Sequence, residues 1–190
     1  SIYNEHDYDV IDKLSLQENI DIAEKYFQIG KSLEAEITFA KILAKYSVDG
    51  LIYCRYGRFL RKIGQHDRAI DMLQKAISIS HMQTDKSNEA YANRQIGRVY
   101  EIQGKINISL EYFNKAHEIY SDLNYESGVA RSLRDIGLAS KKLHNYDYAI
   151  TCLKKSLSIY EKLNVQESLA ATVGYLGLIF KTKGEWAKAE

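Results

Sequence analysis

The residue types that most often carry catalysis or bind metals are scattered along this sequence. The five histidines are His6, His66, His81, His117 and His144. None of them has a second metal-ligating residue at the spacing that zinc sites use. The sequence also lacks a nucleophile elbow, a Walker loop and a dinucleotide-binding fingerprint. It therefore predicts a protein that is not an enzyme and that has no metal or other cofactor.

The two cysteines, Cys54 and Cys152, are too few for a disulfide framework or a Cys-only metal site. Cys54 lies beside the arginines described next and could be reactive, whereas Cys152 falls on an apolar helix face. Small buried thiols are the favoured interpretation of both residues.

Arginine is the residue type whose spacing indicates a site. Arg55, Arg58 and Arg61 follow one another at steps of three, and two further pairs, 94/98 and 131/134, recur later. The planar guanidinium group binds carboxylates and phosphates through two parallel hydrogen bonds, so this pattern predicts recognition of anionic groups. The whole chain is not a polycation, because 26 Lys and Arg against 25 Asp and Glu give a net charge of +1.

Composition predicts a soluble globular protein: 45% of the residues are apolar, 27% are charged and there is no proline. The longest nearly uncharged stretch, 169–180, is 12 residues long, and a membrane span needs about 20. The first five residues have no basic or apolar signal-peptide region. We therefore expect no membrane association and a cytoplasmic, reducing location.

A repeat with a period of 40 residues organises the chain. Glycine recurs at 57, 97, 137 and 177, small residues recur at 69, 109, 149 and 189, and large apolar residues recur at 73, 113 and 153. Apolar residues at three- and four-residue spacing predict two amphipathic helices in each repeat. A turn at 64, 104, 144 or 184 separates the two helices, and glycine at three of these positions suits a helix end. Small residues on both helices, such as Gly97 and Ser109, predict that the helices cross closely.

We predict a leader over 1–14 and a single array over 15–190. The repeats cover about 16–49, 50–89, 90–129, 130–169 and a truncated 170–190.

This pattern resembles the tetratricopeptide repeat family. In the third repeat, Ile96-Gly97 stands for the family's Leu-Gly, Tyr100 for its tyrosine, Ser109 for its alanine and Phe113 for its phenylalanine. The period of 40 and the missing proline depart from the usual 34-residue form, and make the chain more similar to spindle-orientation adaptors, kinesin light chains and bacterial signalling proteins. The resemblance implies an all-α fold, a right-handed α-α superhelix (a solenoid) of antiparallel helix pairs whose first helices line a concave groove.

The resemblance also implies a non-catalytic scaffold whose groove binds a peptide. The predicted groove residues lie near the glycine of each first helix and are Arg55, Arg58, Arg61, Tyr91, Arg94, Arg98, Arg131, Arg134 and Lys141. Acidic residues are expected elsewhere, at the N-terminus and in the first repeat at Glu18, Asp21 and Glu24. We therefore expect the groove to bind an acidic or phosphorylated segment of a partner protein.

Other interpretations of these residues remain open. The arginines could be solvated, or could pair with Asp135 or Glu101 and contribute little. The array could be a peptide-sensing input domain of a larger signalling protein. Single-stranded RNA is the least favoured ligand, because the net charge is near zero and the first repeat is acidic.

The end of the sequence carries one more expectation. The chain stops within a helical pattern at 186–190, so we expect it to be a fragment of a longer array. One apolar face would then lack part of its cover: Val173, Tyr175, Leu176, Ile179 and Phe180. Self-association through this C-terminal edge is therefore predicted.

Overall fold

The computed structural model describes residues 14–186, and every regular element within that range is an α-helix. The helices are α1 (Leu16–Gln28), α2 (Ser32–Lys45), α3 (Gly50–Lys62), α4 (His66–Met82), α5 (Lys86–Ile102), α6 (Ile106–Asp122), α7 (Glu126–Lys142), α8 (Tyr146–Lys162) and α9 (Gln166–Trp186). All of the predicted leader except Leu14 lies outside the described residues, as do 187–190.

The chain divides into two compact parts, an N-terminal half (1–88) and a C-terminal half (89–190). In the N-terminal half, α1 packs on α2 and α3 packs on α4. In the C-terminal half, α6 packs on α7, α7 packs on α8, and α8 packs on α9. Because the two helices of a pair are joined by only a few residues, they run antiparallel.

The helix ends explain where the chain reverses. The backbone enters the left-handed region at Gly30, Gly64, Gly104 and His144, which lie between the two helices of each pair. The Gln65 N–H then donates to the Leu60 carbonyl at 2.9 Å, closing the last turn of α3. Glycine adopts this conformation without steric cost, and His144 does so at the equivalent position with φ of 60°.

Three helix pairs cross at a glycine that has no room for a side chain. A Cβ built on Gly57, Gly97 or Gly137 would lie 2.6, 2.6 and 2.9 Å from Leu73, Phe113 and Leu153 respectively. Behind these side chains, the backbone oxygens of residues 69, 109 and 149 lie only 3.1–3.3 Å from the same point. The predicted close crossing of small residues is confirmed, and it fixes how each first helix lies on its second helix.

Buried apolar side chains hold the pairs together. In the C-terminal half, Phe113 packs with Leu133, Ile136, Ala139 and Cys152. In the N-terminal half, Phe39 stacks on Tyr56 with 5.4 Å between ring centroids and also contacts Phe59 at 5.2 Å. Since these rings and chains come from neighbouring helices, each first helix is fixed in both position and rotation.

The last helix departs from the sequence-based prediction. A turn was expected at Gly184, but α9 continues through it to Trp186. Gly184 remains helical, whereas Gly64 and Gly104 have positive φ and end their helices. Leu176 and Ile179 were expected to lack cover, yet both are buried against Ala149 and Leu153. Val173 and Phe180 remain about half exposed, at 52% and 50%.

The substitution Gly97→Ala tests the close crossing. The new Cβ would collide with the Phe113 ring, so we expect the free energy of unfolding to fall by about 1–3 kcal/mol. Gly177→Ala is the matched control at the same repeat position, because nothing within the described residues lies within 4 Å of it. That change should leave stability unchanged or raise it by up to about 1 kcal/mol. Urea denaturation followed by circular dichroism measures both, and equal effects would contradict the steric account.

Candidate functional site

An ion cluster in the C-terminal half joins α5 to α7. The Arg94 guanidinium donates from Nε to Asp135 Oδ2 at 2.6 Å. Arg98 donates from Nη2 to Asp135 Oδ1 at 3.0 Å. One carboxylate therefore holds two guanidinium groups that lie one turn apart on the neighbouring helix.

Burial separates the two arginines of this cluster. The Arg94 side chain is 7% exposed and that of Asp135 is 4% exposed, whereas the Arg98 side chain keeps 30% of its surface open. Complete burial alone would raise the pKa of Asp135, but the charges of Arg94 and Arg98 outweigh it and hold that pKa below its ordinary value. Asp135 is therefore ionised at neutral pH, and Arg94 is an internal ion-pair member.

Two further arginines, Arg131 and Arg134, lie within four residues of Asp135 on α7. The Arg134 charge also lowers the pKa of Asp135, and the Arg134 guanidinium lies 5.8 Å from the centre of the Tyr160 ring. Arg131 is exposed beside Tyr120, whose pKa is raised to about 12 mainly by burial. Neither Arg131 nor Arg134 has a carboxylate partner among the described residues. We call Arg94, Arg98, Arg131 and Arg134, with Asp135, the arginine cluster.

Tyr91 and Lys141 are the other two groove residues predicted in this half. Tyr91 is half-buried and close enough to Arg98 for the two to interact electrostatically. Lys141 is half-buried near the end of α7. Glu101, which the sequence offered as a partner for the arginines, pairs with Lys142 at 2.9 Å. The two acids named from the sequence therefore have different partners, and only Asp135 pairs with arginine.

The predicted arginines of the N-terminal half lie on α3. Arg55 and Arg58 both approach the Glu24 carboxylate of α1, with nitrogen–oxygen distances of 3.8 and 3.5 Å. Arg61 lies one turn further along the helix and is half-buried. The expectation that Glu24 lies apart from the arginines is wrong, because packing of α1 on α3 brings it between two of them.

An open, shallow cleft with a cavity volume of about 30 Å³ adjoins this pair of arginines. Its polar rim is formed by Glu24, Arg55, Arg58, Gln28 and Lys62, and its apolar lining by Phe27, Phe39 and Phe59. Sequence reasoning did not find this cleft. Phe27 and Phe59 lie on different helices, and only their edge-to-face packing, 5.4 Å between centroids, brings them together. The available signal was a charged residue one turn from a phenylalanine on each helix, Glu24 before Phe27 and Lys62 after Phe59.

The residues considered as possible nucleophiles or metal ligands lie outside the arginine cluster and the cleft, or are buried and unreactive. Cys54 is buried, its thiol faces the Asn88 carbonyl, and burial raises its pKa to about 12. Cys152 is also buried, and burial raises its pKa. No group of three or more His, Cys, Asp or Glu side chains comes together in the described part of the chain. No helix there is long and apolar enough to cross a membrane.

A family model agrees with this architecture. Residues 49–122, which include α3 to α6, match the tetratricopeptide repeat. Proteins built from this repeat are in general non-catalytic interaction scaffolds. No curated protein matches the chain.

Solved structures extend the likeness over nearly the whole chain. BtubC (BKLC) from P. vanneervenii is 20% identical, with 90% of this chain and 74% of that one covered and a TM-score of 0.76. The apo form of RapI is 17% identical, with 93% and 66% covered and a TM-score of 0.79. Repeats of a putative kinesin light chain from Podosopora anserina are 17% identical, with 92% and 89% covered and a TM-score of 0.71. The predicted resemblance and the all-α fold class are confirmed.

Asp135→Asn tests the structural role of the cluster. The change removes the carboxylate that pairs with both Arg94 and Arg98 and leaves buried positive charge uncompensated, so we expect a loss of about 3–5 kcal/mol. Asp147→Asn is the matched control, because Asp147 is 84% exposed in its pair with Lys183 and such pairs contribute up to about 1 kcal/mol. Chemical denaturation at neutral pH measures both, and a small loss for Asp135→Asn would contradict this role.

The same carboxylate predicts a pH dependence. The folded-state pKa of Asp135 lies below its ordinary value of 3.8, so between these two values the unfolded chain binds more protons than the folded protein. The stability that Asp135 contributes is therefore complete above pH of about 4 and is lost as the pH falls through the folded-state pKa. Urea midpoints measured between about pH 6 and pH 2.5 should show the gap between the natural protein and Asp135→Asn narrowing in acid. A constant gap would contradict the assignment.

Proposed function

We propose that this tetratricopeptide repeat protein is a non-catalytic scaffold whose arginine cluster binds an acidic or phosphorylated segment of a partner protein. One observation carries the proposal. The single buried carboxylate of Asp135 pairs with Arg94 at 2.6 Å and with Arg98 at 3.0 Å. The Arg134 charge also lies close enough to lower its pKa, so positive side chains outnumber this carboxylate. Arg131 adds a further charge on the exposed side.

The members of the cluster have different parts in this proposal. Arg94 is buried and bonded to Asp135, so it orients that carboxylate and contributes charge without contacting a ligand. Asp135 in turn holds the guanidinium of Arg98, which is partly exposed. Arg98, Arg131 and Arg134 are the residues whose surfaces remain open to a partner. Guanidinium groups fixed in this way lose little conformational entropy when they bind a carboxylate or phosphate.

A panel of labelled peptides tests the proposal. The probes are fluorescein-labelled Gly/Ser decapeptides with four glutamates, four phosphoserines or four glutamines, and fluorescence anisotropy reports binding to the full chain. We expect binding of the first two peptides only, weakening as salt is added. Arg131→Gln with Arg134→Gln should reduce affinity about tenfold or more, because each hydrogen bond to a charged group contributes roughly 1.5–3 kcal/mol.

The matched control is Lys154→Gln with Lys155→Gln. Both lysines are exposed on α8, and the double change removes the same net charge away from the cluster. It should leave affinity within about twofold of the natural protein. Equal losses from both double variants would show that binding follows net charge alone and would contradict the proposal. Tighter binding of a 12-nucleotide oligouridylate than of either anionic peptide would reassign the cluster to nucleic acid.

A further inference from the structure

We infer that the cleft of the N-terminal half is a second binding site, which takes an apolar side chain next to a carboxylate, and that Glu24 occupies the place of the ligand's carboxylate until the ligand displaces it. The inference deepens the proposed function and rests on it for the kind of partner, an anionic peptide segment. It concerns different residues and a different half of the chain.

The cleft combines an apolar wall with a basic rim. Phe27 and Phe59 form an aromatic wall with Phe39 behind them, and Arg55, Arg58 and Lys62 lie along the rim. The Lys62 ammonium lies 5.4 Å from the centre of the Phe27 ring, so positive charge directly adjoins the apolar wall. The cleft is shallow, with a cavity volume of about 30 Å³, so it suits the contact of one side chain with the wall rather than a long segment.

The contacts of Glu24 are those of a group that can be displaced. Its carboxylate lies 3.8 Å from Arg55 and 3.5 Å from Arg58, beyond the 2.7–2.9 Å of a good charge-assisted hydrogen bond. All three side chains are about 30% exposed. The pair of Arg94 and Asp135 differs in both respects, with 2.6 Å between atoms and under 8% exposure. Two arginines thus surround one carboxylate in each half. The contacts are short and buried around Asp135, and long and partly exposed around Glu24.

Displacement sets the chemistry of the ligand. A carboxylate that replaces Glu24 meets the same two guanidinium groups, and on a flexible ligand it can approach Arg58 more closely than the 3.5 Å of Glu24. An apolar side chain beside that carboxylate would reach the wall of Phe27 and Phe59, and its burial contributes about 25 cal/mol per Å². A ligand with only an apolar residue would contact the aromatic wall but not the arginines, and a ligand with only an acid would contact the arginines but not the wall. We therefore expect the two features to reinforce each other.

Four labelled decapeptides test this inference by anisotropy with the full chain. In a Gly/Ser background they carry Phe-Glu, Phe-Gln, Ala-Glu or Ala-Gln at the centre. The Phe-Glu peptide should bind at least about fivefold more tightly than any other. Glu24→Gln should tighten binding of Phe-Glu about threefold to fivefold, since a partly exposed ion pair contributes up to about 1 kcal/mol. It should leave binding of Phe-Gln unchanged.

The N-terminal half offers a matched control for each variant. Glu36 pairs with Arg68 away from the cleft and is 27% exposed, close to the 30% of Glu24. Glu36→Gln should therefore leave binding of every peptide unchanged. Arg58→Gln should weaken binding of Phe-Glu about fivefold or more, whereas Arg68→Gln should not. Weaker or unchanged binding to Glu24→Gln would overturn the displacement, and equal binding of Phe-Glu and Ala-Glu would overturn the apolar wall.

The double variant of Arg131 and Arg134, tested with the same peptides, separates this inference from the proposed function. If Arg58→Gln loses binding of Phe-Glu and the double variant keeps it, the cleft binds its ligand independently of the arginine cluster. If only the double variant loses binding, the cleft is not a site and the proposed function stands. If no peptide binds in either panel, both proposals fail.

Discussion

The close approach of the two helices in each pair constrains the rest of this structure. Gly57, Gly97 and Gly137 receive a large side chain from the second helix at a distance where a Cβ would collide. This contact fixes the rotation of the first helix about its own axis. The rotation in turn decides which residues of α3 face α1 in the N-terminal half, and which residues of α5 and α7 face each other in the C-terminal half. The arginines are therefore positioned by glycines that never contact them.

Similar side chains form two ion clusters with different properties on these helices. Two arginines surround one carboxylate in each half, and the difference lies in burial and distance. Between α5 and α7 the carboxylate is buried and its ion pairs are short. Burial alone would raise the pKa of Asp135, but the charges of Arg94 and Arg98 outweigh it and lower that pKa. Between α1 and α3 the carboxylate of Glu24 is partly hydrated and its contacts are long. Water competes with the second pair, and so can a ligand.

The distribution of charge follows from this arrangement. The net charge of +1 gives no indication of a binding face, because acids and bases are nearly equal in number. The structure shows that Glu101 pairs with Lys142 and that Asp135 is shared by Arg94 and Arg98. Local pairing therefore leaves an excess of positive charge on a protein that is almost neutral overall.

The sequence by itself determined the repeat, the helix pairs and the fold. Glycines at steps of 40 residues can be read directly, because the same steric constraint recurs in each pair and permits the same small residue. It also placed the arginines on the first helices, since position on a helix follows from periodicity. Only the tertiary structure decided their partners. Arg94 and Arg98 are 41 and 37 residues from Asp135, and Glu24 reaches α3 from the preceding helix pair. Ion pairing depends on distances of a few tenths of an ångström and on the exclusion of water. Those quantities arise only when separate helices pack.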